Sequence, residues 1–156
     1  MVAIIRPSEW EWPLLIHLLG AFVLVGALAV AVAATALGRR SNDEATWGLR
    51  KIAFRTLLFA GLPSFVAFRV AAEWLYSKEE GQLFPKGEDP AWVGIGYIVS
   101  DAGALLLLIL IVLSWLSSRK RAADGGSRLT TAVLALSSIY LAALAVAWWA
   151  MTVKPD

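Results

Sequence analysis

The 156 residues suit a single domain or helix bundle. A content of 59% hydrophobic and 17% charged residues, with a mean hydropathy of +0.68, departs from the roughly 45–50% apolar and 25% charged of water-soluble domains and points to a membrane protein. With Cys 0 and His 1, disulfides, thiol catalysis, iron–sulfur clusters, bis-histidine haem and multi-histidine metal sites are excluded within one chain, and the net charge of +2 matters less than where the charges sit.

The opening stretch 1–12 (MVAIIRPSEWEW) carries Glu9 and Glu11 and has no basic region ahead of the apolar run. It reads as a retained N-terminal segment and not as a signal peptide. A spanning helix needs about 20 mainly apolar residues and must satisfy its backbone hydrogen bonds internally, because lipid offers none. The first such segment covers about 13–37. A loop, 38–55, follows with Arg39, Arg40, Arg50, Lys51 and Arg55. The second span covers about 56–76 and contains Gly61 and Pro63; the proline removes a backbone donor, which predicts a kink that widens the bundle just inward of Arg69 and serves ordinary packing more readily than a gating hinge. The segment 77–91, with Gly81, Pro85, Gly87 and Pro90, reads as an outer loop over the mouth of the bundle. A third span covers about 92–116, a basic loop 117–128 ends in a flexible turn (AADGGSR), and a fourth span covers about 129–151.

The loops 38–55 and 117–128 together hold nine Lys and Arg, so they face the cytoplasm. The opposite side carries Arg6, Lys78, Lys86 and Lys154 among seven carboxylates and is net acidic. The expected architecture is an all-α, antiparallel four-transmembrane-helix bundle, one domain over 1–156, with both termini outside. Trp10, Trp12, Trp74, Trp92, Trp148 and Trp149 fall at outer ends and Trp47 and Trp115 at inner ends, an aromatic belt weighted outward. Orientation explains the basic clusters more simply than anionic lipid or nucleic acid, since no aromatic interleaving suggests base stacking.

Ionisable side chains inside a span cost at least about 2.5–3.5 kcal/mol each and normally face a partner. His17, Arg69, Glu73 and Asp101 are such residues, and the Tyr140 hydroxyl is a neutral candidate beside them. At about 1.5 Å rise per residue, Asp101, Tyr140 and Arg69 lie roughly 10–14 Å from the outer helix ends, and His17 and Glu73 roughly 4–6 Å. Arg69 and Glu73 are i,i+4, as are Tyr97 and Asp101, so the Tyr97 phenol is expected to donate to Asp101. A polar pocket built from His17, Arg69, Glu73, Tyr97, Asp101 and Tyr140 in the outer half of the bundle follows, with a buried salt bridge at its centre. The charges balance when His17 is protonated, and a histidine beside a carboxylate is suited to exchanging a proton near physiological pH. A network that only locks the helices together is the competing reading, and a third is that one or more of these side chains snorkel outward or face a partner subunit.

The run Ile16-His17-Leu18-Leu19-Gly20-Ala21, followed by Val25-Gly26, resembles the His-Leu-Leu-Gly opening of bacterial four-helix integral membrane proteins of unknown function. That opening is similar to the first helix of the CopD-type copper-resistance membrane family. The resemblance covers the first span, with looser agreement in the basic loop and second span. It implies a multi-pass protein of the bacterial inner membrane, with copper or haem handling and His17 as the position carried over and the only candidate metal ligand.

The leading functional expectation is a polar pocket that binds or relays a proton, an ion or a small ligand. One alternative is a noncatalytic accessory or assembly subunit, packed in a larger membrane complex or a homo-oligomer. Another is a haem- or quinone-binding redox protein using His17. An enzyme is the least favoured class, because no phosphate loop and no His-Glu-x-x-His helix is present.

Overall fold

The computed structural model describes residues 11–41, 43–79, 90–119 and 123–153. Most of the expected outer loop 77–91, the first ten residues, 120–122 and the last three residues lie outside the described residues. The elements in chain order are α1 (Glu11–Gly38), α2 (Asp43–Thr56), a π-turn (Leu57–Gly61), α3 (Leu62–Glu79), α4 (Ala91–Arg119) and α5 (Ala123–Val153), with no strand among the described residues. Four helices are long and apolar enough to cross a membrane: α1, the continuous helix 44–78, α4 and 128–153 of α5.

Two boundaries differ from the sequence reading. The charged segment 43–55, expected as loop, is helical and runs unbroken into the second span, giving a helix of 35 residues. Adding a turn to an existing helix avoids the cost of nucleation, and no proline interrupts this stretch. Likewise α5 begins at Ala123, so most of the expected flexible turn is helix; two glycines cost it only about 1 kcal/mol each and the long helix behind them carries the geometry.

The π-turn replaces the simple kink. Pro63 cannot donate to the carbonyl one turn back, and just before it the Leu62 amide donates to the Leu57 carbonyl five residues earlier. A wide turn of this kind re-pairs the backbone where a proline breaks the regular ladder.

The helix 44–78 and α5 both pack on α1, α4 packs on α5, and α4 meets α2 far more than it meets α3. The core joins Leu24, Leu28 and Ala31 of α1 to Leu57, Phe65, Leu107, Leu110 and Val133. Only 22–28% of each span's most apolar window is buried inside the bundle, so most apolar side chains, Phe22, Phe59, Ile98 and Trp148 among them, face outward. In lipid such faces need no cover, and helix association depends instead on close packing over small residues. Gly20 is one such place: an added Cβ would lie 2.9–3.0 Å from the backbone N, Cα and Cβ of Phe68. Gly103 is another, its missing side chain leaving the space that the Tyr140 ring occupies.

Candidate functional site

The α-helical repeat puts Arg69 and Glu73 on one face of α3, and the Arg69 guanidinium donates through Nη1 to Glu73 Oε1. Its Nη2 donates to Asp101 Oδ1 on α4 at 3.4 Å. The Tyr97 hydroxyl, also on α4, donates to Glu73 Oε2 at 3.1 Å. The Arg69 guanidinium lies 5.0 Å from the centroid of the Tyr97 ring, and Tyr76 meets the same ring edge-on at 5.7 Å. Four of the six expected residues, Arg69, Glu73, Tyr97 and Asp101, therefore form one connected cluster.

Its setting corrects the expectation of a buried salt bridge. The side chains of Arg69, Glu73 and Asp101 are 26%, 50% and 69% exposed. Because α3 leans on α1 while α4 leans on α5 and α2, the facing surfaces of α3 and α4 separate, and long polar side chains bridge the cleft at the bundle surface. The phenol is also redirected: Tyr97 crosses to Glu73 on α3 instead of donating along its own helix to Asp101, whose carboxylate projects outward.

His17 takes a different partner. Close approach at Gly20 brings α1 against Phe68, and His17 Nδ1 lies 3.3 Å from the Phe68 carbonyl oxygen. A carbonyl only accepts, so Nδ1 carries the hydrogen. The imidazole also lies 4.5 Å from the Phe68 ring, centre to centre. Among the described residues His17 is thus bound to backbone and not to a carboxylate, and the expected histidine–carboxylate pair is not formed there.

Tyr140 stands apart from the cluster as well. It is 1% exposed, its hydroxyl has no hydrogen-bond partner among the described residues, and its ring fills the notch at Gly103. Ser100, Ser114 and Ser137 are similarly buried and without partners among the described residues. Depth along a helix placed Tyr140 in the pocket; its direction around the helix takes it into the α4–α5 interface.

At the opposite end of the bundle, features outside the sequence reading emerge. Lys51 Nζ sits 3.3 Å from the centroid of the Trp47 ring system, and the Arg119 guanidinium 4.1 Å from that of Trp115. Trp47 Nε1 donates to the Ser118 carbonyl at 3.1 Å, tying α2 to the end of α4. Arg50 is only 6% exposed. The i,i+4 spacing of Trp47 with Lys51 and of Trp115 with Arg119 is the sequence signal for these pairs.

Among the described residues no group of three or more acidic or histidine side chains could hold a metal ion. A scan against protein-family models and searches of curated proteins and of solved structures each found no match.

Proposed function

We propose that the chain is a small integral membrane protein, an antiparallel bundle of four spans with both termini outside, whose Arg69–Glu73–Tyr97–Asp101 cluster takes up a proton or a small cation. The observation that carries this reading is a charge imbalance. Arg69 is the only cation bonded to the two carboxylates among the described residues, so one positive charge faces two negative ones. An uncompensated charge at membrane depth costs at least about 2.5–3.5 kcal/mol, and a proton or cation removes it. Asp101 is the accepting group, because Glu73 is held by both Arg69 and Tyr97 whereas Asp101 has the single long contact and the greater exposure.

Residue pairings support the antiparallel arrangement: Gly20 lies against Phe68 and Gly38 against Leu49, while Gly103 lies against Tyr140 and Ser117 bonds Thr130. The Lys and Arg distribution supports the orientation. Assignment to a bacterial inner membrane rests on that distribution and on the resemblance of the stretch 16–21.

The test is thermal unfolding in detergent with Na+, K+ or Ca2+ titrated in turn, together with infrared difference spectra of the carboxyl stretch between acidic and neutral buffer. A cation that raises Tm, or a component of the protonated carboxyl band at acid pH that belongs to Asp101, is expected in the wild type and is missing from Asp101→Asn. Absence of both responses, or their persistence in Asp101→Asn, refutes the reading. The outward exposure of Asp101 favours one second reading, an accessory subunit whose partner supplies the balancing cation from its own spanning helix. In that case a copurifying chain is retained by the wild type and lost in Asp101→Asn.

A further inference from the structure

The end of the bundle away from Arg69 carries two cations, Lys51 and Arg119, each resting on a tryptophan ring one helical turn away. Neither has a carboxylate partner among the described residues. The bond from Trp47 Nε1 to the Ser118 carbonyl brings the two pairs to one level on neighbouring helices: with the helices antiparallel, 47–51 runs beside 114–118, so Lys51 lies one turn nearer the middle of the bundle than Trp47 and Arg119 one turn farther from it than Trp115. From that level toward the middle of the bundle, both helices present exposed apolar side chains, Ile52 and Phe59 on one and Leu116 and Val112 on the other. Along α4 the order is cation, indole, then hydrocarbon-facing groups; along α2 the Lys51 ammonium lies over the Trp47 ring, and the hydrocarbon-facing groups follow.

We propose that this α2–α4 corner binds one phospholipid with an anionic headgroup, its phosphate taken by Lys51 and Arg119 and its acyl chains lying along Phe59 and Val112. Indole rings settle at headgroup depth, and cations just outside the hydrocarbon attract anionic headgroups. Here the rings also hold both cationic side chains in place, so less side-chain freedom is lost on binding than for free-swinging surface lysines. The inference rests on the chain lying in a membrane and is independent of what the Arg69 cluster takes up.

The test uses the full chain in mild detergent, with phosphatidylglycerol or phosphatidylcholine added as the probe. Tm is recorded and retained lipids are counted by native mass spectrometry. Phosphatidylglycerol is expected to raise Tm more than phosphatidylcholine does, with one molecule retained. The double change Lys51→Gln, Arg119→Gln should remove most of that difference. Arg39→Gln, Arg40→Gln deletes the same charge at the same end of the bundle and should leave it intact, and Asp101→Asn should also leave it intact. Equal losses in the two double variants reduce the effect to diffuse electrostatics and overturn the site. Equal effects of the two lipids overturn it too, as does reproduction of the shift by inorganic phosphate. Should the first double variant not fold, Lys51→Arg, Arg119→Lys must keep the headgroup preference and Trp115→Leu must weaken it; either failing overturns the proposal.

Discussion

Replacing Gly20 by Ala places a methyl group where α1 crosses α3. The new Cβ would lie 2.9 Å from the Phe68 amide nitrogen and 3.0 Å from its Cα and Cβ, against about 3.5–4.0 Å for an ordinary carbon contact. Two of these three atoms are backbone, so no rotamer change clears the way and the helices must separate by about 0.5–1 Å. Overpacking of this sort costs about 1–3 kcal/mol, and the better helix propensity of alanine returns about 0.5–1 kcal/mol. A net loss of up to about 2.5 kcal/mol is therefore expected. Gly26→Ala, on the same helix, is the matched control, because nothing lies within 4 Å of its added Cβ; it should be neutral or stabilising by up to about 1 kcal/mol. Reversible unfolding in mixed micelles gives both values. Separation of the helices also lengthens the 3.3 Å contact between His17 and the Phe68 carbonyl, so the imidazole N–H signal should exchange faster with solvent in Gly20→Ala alone. If the two glycine variants unfold alike, the close crossing at Phe68 is not a feature of the folded protein.

At the α4–α5 interface, Tyr140→Phe removes a buried hydroxyl with no partner among the described residues and should leave Tm unchanged or raise it, since an unsatisfied buried hydroxyl costs about 1–3 kcal/mol. Gly103→Ala should destabilise and should not be rescued by Tyr140→Phe, because ring atoms Cζ and Cε2 would still lie 2.6 and 2.7 Å from the new methyl; rescue contradicts the placement of the ring. Glu73→Gln should lower Tm more than Asp101→Asn, because Glu73 accepts from both Arg69 and Tyr97, whereas Asp101→Asn gives up one long contact and also removes the unbalanced charge, so that its Tm should be unchanged or raised. The reverse order would show Asp101 to be the organising carboxylate. Reporter fusions should give a periplasmic signal at the C-terminus and a cytoplasmic one near residue 122, and the opposite pattern overturns the orientation.

The four spans were legible in the sequence because hydrocarbon imposes a length and an apolar composition that few other structures meet. The Arg69–Glu73 pair was legible because its spacing belongs to a single helix. What spacing within a helix does not carry is the direction each helix faces. Asp101 and Tyr140 lie at similar depth, yet one projects from the α3–α4 cleft and the other is enclosed against Gly103. His17 likewise finds its partner 51 residues away, through an approach that depends on the bare backbone at Gly20. Helical continuation through the charged segment 43–55 was hidden for another reason: hydropathy measures whether a segment tolerates lipid, and a helix can run on past the hydrocarbon edge.

On an ideal α-helix the buried residues Ala53, Leu57, Gly61, Ser64, Phe68 and Ala71 would fall in one nearly straight stripe. The five-residue turn at Leu57–Gly61 puts that stripe out of phase by about a quarter revolution between its two halves. Below the turn the helix meets both α1 and α4; above it the stripe points to α1 and swings away from α4. The azimuth of Arg69 and Glu73 is thus set at least eight residues upstream, by segments that touch neither side chain. Losing or gaining one residue there would re-aim the charged pair without altering it, so the length of 57–61 specifies the cluster as surely as the identity of its members.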